Sequence, residues 1–402
     1  MSAPMVIDLV EWQPYALSPT EATDALLDAL GARKEAVLVF RRGAGLAESG
    51  QLTVPNVVGQ IRVGRDCLLR MAPKVAVSNI FAMLELAYQL ESFRFETGVV
   101  SVESIADIYD RLANILALRV ISRVRRGLHA EYIPRSERLG SVRGRIDLRE
   151  SARLIANGIP ALQCDFEEHT DDIEDNQILA WTLRLLTMAG LDRADVRDRV
   201  NAAYRAIAGA CTLRHFKGQD CVARRYNRLN QDYRAMHGLC RFFLENLGPG
   251  VASGNQSLMP YTVNMPLLFE SFVVGWLQQH GPAGYDFVKQ HQLSLQGTIK
   301  PNWAVDILVK DSTGRPIAVM DTKYKQDSTP SSDDLQQISA YALATGVEQA
   351  FIVYPSAIGS GHRQYVGNVL VKTVHFDIGG ELQIAGCNLL AQLGLPASAM
   401  VD

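Results

Sequence analysis

The chain has 402 residues, of which 48% are hydrophobic and 21% charged, and its formal net charge is −3 at pH 7. This composition is that of an ordinary globular protein with two or three domains. The small negative charge excludes a general nucleic-acid coat, so DNA contacts must come from local patches or from a partner. No apolar run approaches the roughly 20 residues that span a bilayer, and the first residues lack a basic region before an apolar core. We therefore expect a cytoplasmic protein without membrane contact.

The first part of the chain is predicted to be a mixed α/β domain over residues 1–165. Short β-branched runs are separated by Gly, Pro and Asn, which predicts strands, and longer periodic runs predict helices. The predicted strands are 36–40, 51–54, 57–63, 67–71, 130–134, 140–148 and 161–166, and the predicted helices are 79–90 and 102–126.

Arginines are concentrated between residues 119 and 149, with few acidic residues among them. They are Arg119, Arg123, Arg125, Arg126, Arg135, Arg138, Arg143, Arg145 and Arg149. Planar guanidinium groups suit the recognition of phosphate or carboxylate, on DNA or on a protein partner. A solvated helix face is the alternative explanation for the first four.

A helical connecting region is predicted over residues 166–255. Its helices are expected at 176–188, 192–208 and 231–246. Residues 247–255 are rich in turn formers and indicate a domain boundary, after which a third domain is predicted over residues 259–402.

Two apolar β-runs near the C-terminus, residues 303–310 and 316–325, are joined by a polar turn that contains glycine. This pattern predicts an antiparallel hairpin. A turn centred on the Thr-Gly step between the runs places Asp306 opposite Asp321. Because side chains alternate along a strand, Lys323 is expected on the face of Asp321 and the residue between them on the other face.

Two carboxylates that face each other across a ladder repel, so a sequence selected only for stability would avoid the pair. A divalent cation removes the conflict. Oxygen ligands with room for waters and phosphate suit Mg²⁺, and a neighbouring lysine can orient or activate the attacking water and stabilise charge on the phosphate. The hairpin therefore predicts Mg²⁺-dependent phosphodiester hydrolysis. The alternative is a structural ion pair of Asp321 and Lys323 on an exposed strand face.

An amphipathic helix is predicted downstream, over residues 333–343, where Gln337 and Tyr341 are four apart and share a face. Strand, strand and helix with Asp, Asp-x-Lys and Gln-x-x-x-Tyr in this order resemble the PD-(D/E)xK nuclease superfamily. The resemblance implies an α/β restriction-endonuclease-like domain in which Asp306, Asp321 and Lys323 are catalytic. Gln337 and Tyr341 are expected to face the same cleft as supporting site residues. The chain has Val-Asp where Pro-Asp is usual and Asp321 where Glu is commoner, and both variants keep the carboxylates.

Two further residues are candidates for the same cleft. Glu270 lies in a predicted helix over residues 264–274, and the superfamily often carries a helical Glu as an additional metal-site carboxylate. The alternative is a capping residue that compensates the helix dipole. His291, on the strand before the hairpin, is either a cleft residue or a half-buried strand histidine.

Several segments, in order and at characteristic intervals, resemble McrC, the nuclease subunit of the McrBC modification-dependent restriction systems. These segments are 71–75, 142–147, 164–168, 175–179, 226–234, 268–270 and 321–325. The resemblance implies that the C-terminal domain cuts DNA and that the N-terminal region docks on a hexameric AAA+ GTPase, McrB, and stimulates it. The partner would recognise methylated cytosine. Arg143 and Arg145 lie in a segment that resembles the docking region. The alternative is that they only form ion pairs with Asp147 and Glu150 on a solvated ribbon.

The sequence thus predicts an α+β multidomain protein with a β-rich docking region, a helical middle and a C-terminal nuclease domain. It lacks a Walker A motif, so we do not expect it to bind nucleotide alone. The predicted function is a Mg²⁺-dependent endonuclease subunit that acts on double-stranded DNA with an AAA+ GTPase. One alternative is a regulatory adaptor with an idle nuclease site, and the intact site argues against it. The other is an autonomous repair or recombination nuclease, which the long N-terminal region without a DNA-reading motif disfavours.

Overall fold

The computed structural model describes residues 5–18, 21, 39–41, 51–63, 67–88, 105–222, 224–247, 261–292, 304–325, 329–356 and 361–396. The chain forms two units, which we call terminal and central. The terminal unit combines Met1–Tyr109 with Asn246–Asp402, and the central unit is Asp110–Glu245. The fold is mixed α/β, as expected. Its division differs from the predicted boundaries at 165 and 259, because the two ends of the chain share one unit.

The described strands are β1 (Met5–Val10), β2 (Tyr15–Ala16), β3 (Val39–Arg41), β4 (Gln51–Thr53), β5 (Val57–Val63), β6 (Cys67–Ala72), β7 (Glu131–Leu139), β8 (Arg145–Ile146), β9 (Leu162–Thr170), β10 (Tyr261–Asn264), β11 (Tyr285–Gln292), β12 (Ala304–Asp311), β13 (Pro316–Thr322), β14 (Gln349–Tyr354), β15 (Arg363–Val366) and β16 (Val369–His375). The described helices are α1 (Val77–Ala87), α2 (Ile105–Arg126), α3 (Leu148–Ala156), α4 (Glu174–Met188), α5 (Ala194–Ile207), α6 (Tyr233–Asn246), α7 (Met265–His280), α8 (Ser332–Thr345) and α9 (Leu382–Leu393). None of these helices has the length and apolarity to cross a membrane.

One sheet of the terminal unit joins residues from both ends of the chain, in the order β1-β6-β5-β10. Alternation along β1 buries Ile7 and Leu9 and exposes Asp8, so one face of the sheet forms a core with Leu69. Strand β10 pairs antiparallel with β5, with Val263 opposite Val58. Residues at the start of the predicted nuclease domain therefore belong to the N-terminal sheet.

The second large sheet has the order β11-β12-β13-β14-β16-β15. Strands β11, β12 and β13 are antiparallel, whereas β13, β14 and β16 are parallel. Helix α8 contributes Ile338 and Ala342 to a core that includes Val319 and Ile352 of the sheet. Elsewhere in the unit, helix α7 packs closely on α1, since a Cβ at Gly275 would lie 2.7 Å from the Leu86 carbonyl oxygen.

The predicted hairpin is formed by β12 and β13. Ile307 pairs with Met320 and Leu308 with Val319, and continuing this register by one residue sets Asp306 across from Asp321. In the turn, the Asp311 carboxylate accepts hydrogen bonds from the backbone of Thr313 and Arg315 at 2.9 and 3.1 Å, and Gly314 between them has φ +83°. The register shifts between Val309 and Lys310, so the pairing at the site depends on this irregularity as well as on the turn.

In the central unit, β7 and β9 form a long antiparallel ribbon onto which the short β8 adds. The strand predicted over residues 140–148 is wrong for most of its length. Strand β8 covers only two residues because Asp147 caps helix α3, with its Oδ1 accepting from the Glu150 amide at 3.0 Å. Helix α3 was not predicted. Residues 36–38 of a predicted strand and 248–255 of the predicted boundary lie outside the described residues.

Candidate active site

Asp306 is a half-buried residue of β12 whose carboxylate is held by the end of β13. Its Oδ2 accepts hydrogen bonds from the Thr322 amide at 2.8 Å and from the Thr322 hydroxyl at 3.0 Å. Thr322 was expected to point away from the face that carries Asp321 and Lys323. This expectation is wrong for its hydroxyl group, which contacts the Asp306 carboxylate. Thr322 is the last residue of β13, so the ladder no longer enforces strict alternation there. Sequence reasoning missed this contact because only the strand end creates it.

Asp321 is a buried carboxylate, with 2% of its surface exposed. Lys323 Nζ lies 2.8 Å from its Oδ2 in a close ion pair. The pKa of Asp321 is raised to about 7, mainly by burial and also by the nearby Asp306 carboxylate, while the Lys323 ammonium acts to lower it. The alternative of a structural ion pair is right about the contact of Asp321 with Lys323 but wrong about its place on an exposed strand face, because Asp321 is buried.

Lys323 connects the hairpin to helix α8. Its Nζ donates to Gln337 Oε1 at 2.9 Å, and Gln337 Nε2 donates to the Tyr341 hydroxyl at 3.0 Å. The structure thus brings Asp321, Lys323, Gln337 and Tyr341 into one chain of contacts. Burial lowers the pKa of Lys323, but Asp321 and the other nearby carboxylates outweigh it, and the pKa is raised. The side chain therefore stays an ammonium and acts as a donor.

Asp334 is a neighbour of the site that the sequence analysis did not name as a candidate. It forms a capping box with Ser331 at the start of α8. Its carboxylate also lies 2.6 Å from Lys325 Nζ and 3.8 Å from Lys323 Nζ. Burial raises the pKa of Asp334, but hydrogen bonds from Lys325 and Ser331 outweigh it and the pKa is lowered. Asp334 thus adds a negative charge beside two lysines.

Glu270 is the sixth residue of α7 and lies beyond its first turn. The cap is Asn264, whose side chain accepts from the Leu267 amide at 3.1 Å, so the capping alternative for Glu270 is wrong. Glu270 Oε1 instead accepts from Gln290 Nε2 at 3.1 Å and lies 4.0 Å from Lys289 Nζ. Within the described ranges there is no group of three His, Cys, Asp or Glu residues placed to bind a metal. A metal-binding role for Glu270 stays a prediction.

Strand β11, next to Asp306, is distorted at Gln290, which has φ +47°. The register passes over this residue, with Lys289 opposite Ile307 and His291 opposite Val305. A glutamine in the left-handed region is strained, and such strain is frequent at functional sites. His291 is half-buried in the strand, which agrees with the alternative that it is an ordinary strand histidine.

The two hairpin carboxylates fit a magnesium ion. Both hydrogen bonds that described residues make to Asp306 fall on its Oδ2, and the Lys323 ammonium lies beside Oδ2 of Asp321, which leaves the other oxygen of each carboxylate as the candidate ligand. Mg²⁺ commonly takes one or two carboxylates and fills its remaining positions with waters and substrate phosphate. Asp306 and Asp321 are therefore the residues that would hold it.

Arg143 and Arg145 flank a tight turn in the central unit. Gly144 between them has φ +66°, and a Cβ there would lie 2.4 Å from the Asp165 carbonyl oxygen. The Arg143 guanidinium lies 4.0 Å from the centre of the Phe166 ring, and both arginines are exposed. Among the described ion pairs, Glu150 binds Arg153 at 3.2 Å rather than either arginine.

The fold and the site together define a mixed α/β protein with paired carboxylates and a lysine on one hairpin, beneath a helix. Residues 52–355 match the family described as McrBC 5-methylcytosine restriction system component, and the chain belongs to this family. The predicted family relationship is thereby confirmed.

Two known proteins show the extent of the similarity. The chain is 24% identical over 263 residues to the Type IV methyl-directed restriction enzyme EcoKMcrBC of Escherichia coli K12. The aligned residues cover 63% of this chain and 74% of that protein. Its fold is similar to a chain of the refined half-complex from a tetradecameric assembly of Thermococcus gammatolerans McrB AAA+ hexamers with bound McrC. That match has a TM-score of 0.51 and 18% identity and covers 97% of this chain and 99% of the other.

Proposed function

We propose that this chain is a Mg²⁺-dependent endodeoxyribonuclease subunit that docks on a hexameric AAA+ GTPase of the McrB kind and cleaves double-stranded DNA containing methylcytosine. The observation that carries the proposal is the buried Asp321 carboxylate, which lies opposite Asp306 and 2.8 Å from Lys323. Membership of a restriction-system family supports DNA as the substrate.

Hydrolysis requires a water oxygen to bond to phosphorus while the opposite phosphorus–oxygen ester bond breaks and the leaving oxygen gains a proton. Mg²⁺ held by Asp306 and Asp321 would supply Lewis acidity and lower the pKa of a bound water. The Lys323 ammonium, placed between Asp321 and Gln337, would donate to the phosphate and stabilise negative charge as it develops.

Gln337 and Tyr341 determine where the lysine ammonium points. Gln337 accepts from Lys323 Nζ and is itself held by the Tyr341 hydroxyl. An amide supplies geometry without charge, so these two residues act by orientation. Such preorganisation is valuable because the site then needs no rearrangement when charge develops.

The raised pKa of Asp321 affects how the site would bind Mg²⁺. Near pH 7 a proton and a cation compete for this carboxylate, since a metal ligand must be deprotonated. The site would therefore bind Mg²⁺ more tightly as pH rises through about 7.

The proposed partner is supported by the solved assembly of McrB AAA+ hexamers with bound McrC, one chain of which has a fold similar to this chain over 97% of this chain's length. Arg143 and Arg145 present exposed guanidinium groups beside a rigid turn of the central unit. An arginine delivered by one protein to another's nucleotide site can stabilise charge on the transferring phosphoryl group. The partner, in this proposal, reads the methylated base.

The test is cleavage of matched methylated and unmethylated duplexes by the purified chain, with and without the AAA+ protein, GTP and Mg²⁺. The proposal predicts cutting of methylated DNA only when all components are present. Cutting by the chain with Mg²⁺ alone would indicate an autonomous nuclease. Stimulated GTP hydrolysis without cutting would indicate an adaptor with an idle site.

A further inference from the structure

A second acidic residue, far from the hairpin in sequence, is buried beside the proposed nuclease motif. Glu11 follows β1 and is 1% exposed. Its Oε2 accepts a hydrogen bond of 2.9 Å from the hydroxyl of Tyr324, the residue after Lys323. Burial raises the pKa of Glu11 to about 6, although the Tyr324 hydrogen bond opposes this. Replacing buried ionic groups with apolar residues is often neutral or stabilising, so stability alone does not explain a glutamate here.

The backbone next to Glu11 is constrained. Glu11 N donates to the Ala72 carbonyl at 2.9 Å, and Trp12 N donates to the Val54 carbonyl at 2.8 Å. Trp12 has φ +65°, an unfavourable conformation for a bulky side chain. The surrounding sheet thus holds this turn, and with it the Glu11 side chain, in one position.

Tyr324 lies in a segment that the β-ladder no longer holds, because β13 ends at Thr322. Three anchors replace the ladder. Lys323 N donates to the Val353 carbonyl at 2.9 Å, Lys325 Nζ contacts Asp334 at 2.6 Å, and Tyr324 binds Glu11. The third anchor alone comes from the N-terminal sheet.

The Tyr324 ring is also enclosed. Lys74 Nζ lies 4.9 Å from the ring centre, and the Phe269 ring of α7 lies 6.0 Å away. Tyr324 is 5% exposed. Its side chain therefore cannot move without displacing residues from three parts of the terminal unit.

We propose that Glu11 is a positioning residue for the nuclease reaction: through Tyr324 it fixes the segment that carries Lys323. This inference rests on the proposed function. It makes the N-terminal sheet part of the cutting machinery rather than only a docking platform. It also means that residues 259–402 do not hold the complete site. A misplacement of about 1 Å at a reacting group can cost about 100-fold in rate, so a remote anchor can control turnover.

The decisive variant is Tyr324→Phe, which keeps the ring and removes the hydroxyl. In the full chain with the AAA+ partner, GTP and Mg²⁺, we expect kcat for cleavage to fall about 10- to 100-fold with KM for DNA nearly unchanged. Glu11→Gln keeps an acceptor for the tyrosine and should rescue cutting to within about 3-fold of the native rate, whereas Glu11→Leu should match Tyr324→Phe. Native kcat in Tyr324→Phe overturns the inference.

A matched control is available in the same unit. Tyr15 donates to Glu21 at 2.8 Å, a hydrogen bond of the same type, and Tyr15→Phe should leave kcat unchanged. An equal loss in Tyr15→Phe would show a general effect of weakened folding and would overturn the inference.

A double variant separates stability from positioning. Glu11→Leu with Tyr324→Phe removes both buried polar partners, so thermal stability should recover while kcat stays low. Recovery of both quantities would assign the pair a purely structural role and overturn the inference. Asp321→Asn is run in parallel. If that variant cuts DNA, or the native protein does not, the proposed function has failed, and not merely the role of Glu11.

Discussion

The Lys323 ammonium lies 2.8 Å from the Asp321 carboxylate and donates to Gln337 at 2.9 Å, so one side chain links the hairpin to the covering helix. This arrangement keeps the lysine charged and directs it. It also places a carboxylate with a strongly raised pKa at the centre of the proposed metal site. The following predictions test its parts separately.

The first prediction concerns stability and pH. The pKa of Asp321 is raised from 3.8 to about 7, so between these values the folded state binds more protons than the unfolded state. Stability in metal-free buffer should therefore fall as pH rises across this window.

Because Glu11 titrates in the same range, the informative quantity is the difference in melting temperature between the native protein and Asp321→Asn. That variant should melt higher than the native protein at pH 8, with the gap closing at pH 4, and saturating Mg²⁺ should reverse the order at pH 8. Melting curves with no pH-dependent gap would contradict the burial of an ionisable Asp321.

The second prediction concerns Gln337. Gln337→Ala removes the acceptor for Lys323 and the donor to Tyr341 but leaves both carboxylates, so cleavage should fall by about 10-fold, less than on loss of Asp321. Single-turnover cleavage at saturating Mg²⁺ measures this. Gln336→Ala, an exposed neighbour on α8, is the control and should cut normally. A loss as large as that of Asp321→Asn would mean that Gln337 has a direct chemical role.

The third prediction concerns Glu270. If its carboxylate joins the metal site when Mg²⁺ binds, Glu270→Gln should raise the Mg²⁺ concentration needed for half-maximal cutting by about 10-fold or more. The hydrogen bond from Gln290 can be kept by the amide oxygen, so folding should change little. An unchanged Mg²⁺ dependence would assign Glu270 to holding Gln290 and Lys289 in place.

The fourth prediction concerns the partner. Arg143→Ala with Arg145→Ala should lower stimulation of the AAA+ GTPase and reduce cutting only as a consequence. Arg153→Ala, compared with Arg143→Ala and Arg145→Ala made singly, provides a control of equal charge loss nearby, since Arg153 is exposed and pairs with Glu150. Asp321→Asn should stimulate the GTPase normally. Full stimulation by the double variant would place the docking contact elsewhere.

The hairpin was predictable because turn chemistry and alternation are local properties, and the predicted pairing of Ile307 with Met320 is the one observed. The register shift between Val309 and Lys310 was not predictable, because the polar turn at Asp311 to Gly314 gives no sign of it. The contact of Gln337 with Lys323 depended on the packing of α8, yet helical spacing placed Gln337 and Tyr341 on one face in advance.

Long-range contacts were not predictable from one sequence. Glu11 and Tyr324 meet although 313 positions separate them, and β10 pairs with β5 although the residues of the central unit lie between them in sequence. The predicted domain boundaries assumed that each domain is one continuous stretch of sequence. The terminal unit instead combines the two ends of the chain. Helix α3 escaped prediction because its Asp147 cap lies inside a run that resembles a strand.

The central claim is that Asp306, Asp321 and Lys323 form the site at which DNA is cleaved. The most direct measurement is cleavage of a methylated duplex by the native chain and by Asp321→Asn, each with the AAA+ partner, GTP and Mg²⁺, while GTP hydrolysis is followed in the same reactions. We predict cutting by the native chain, a loss of at least about 100-fold in the variant, and equal rates of GTP hydrolysis in both. Cutting by Asp321→Asn at close to the native rate would contradict the account.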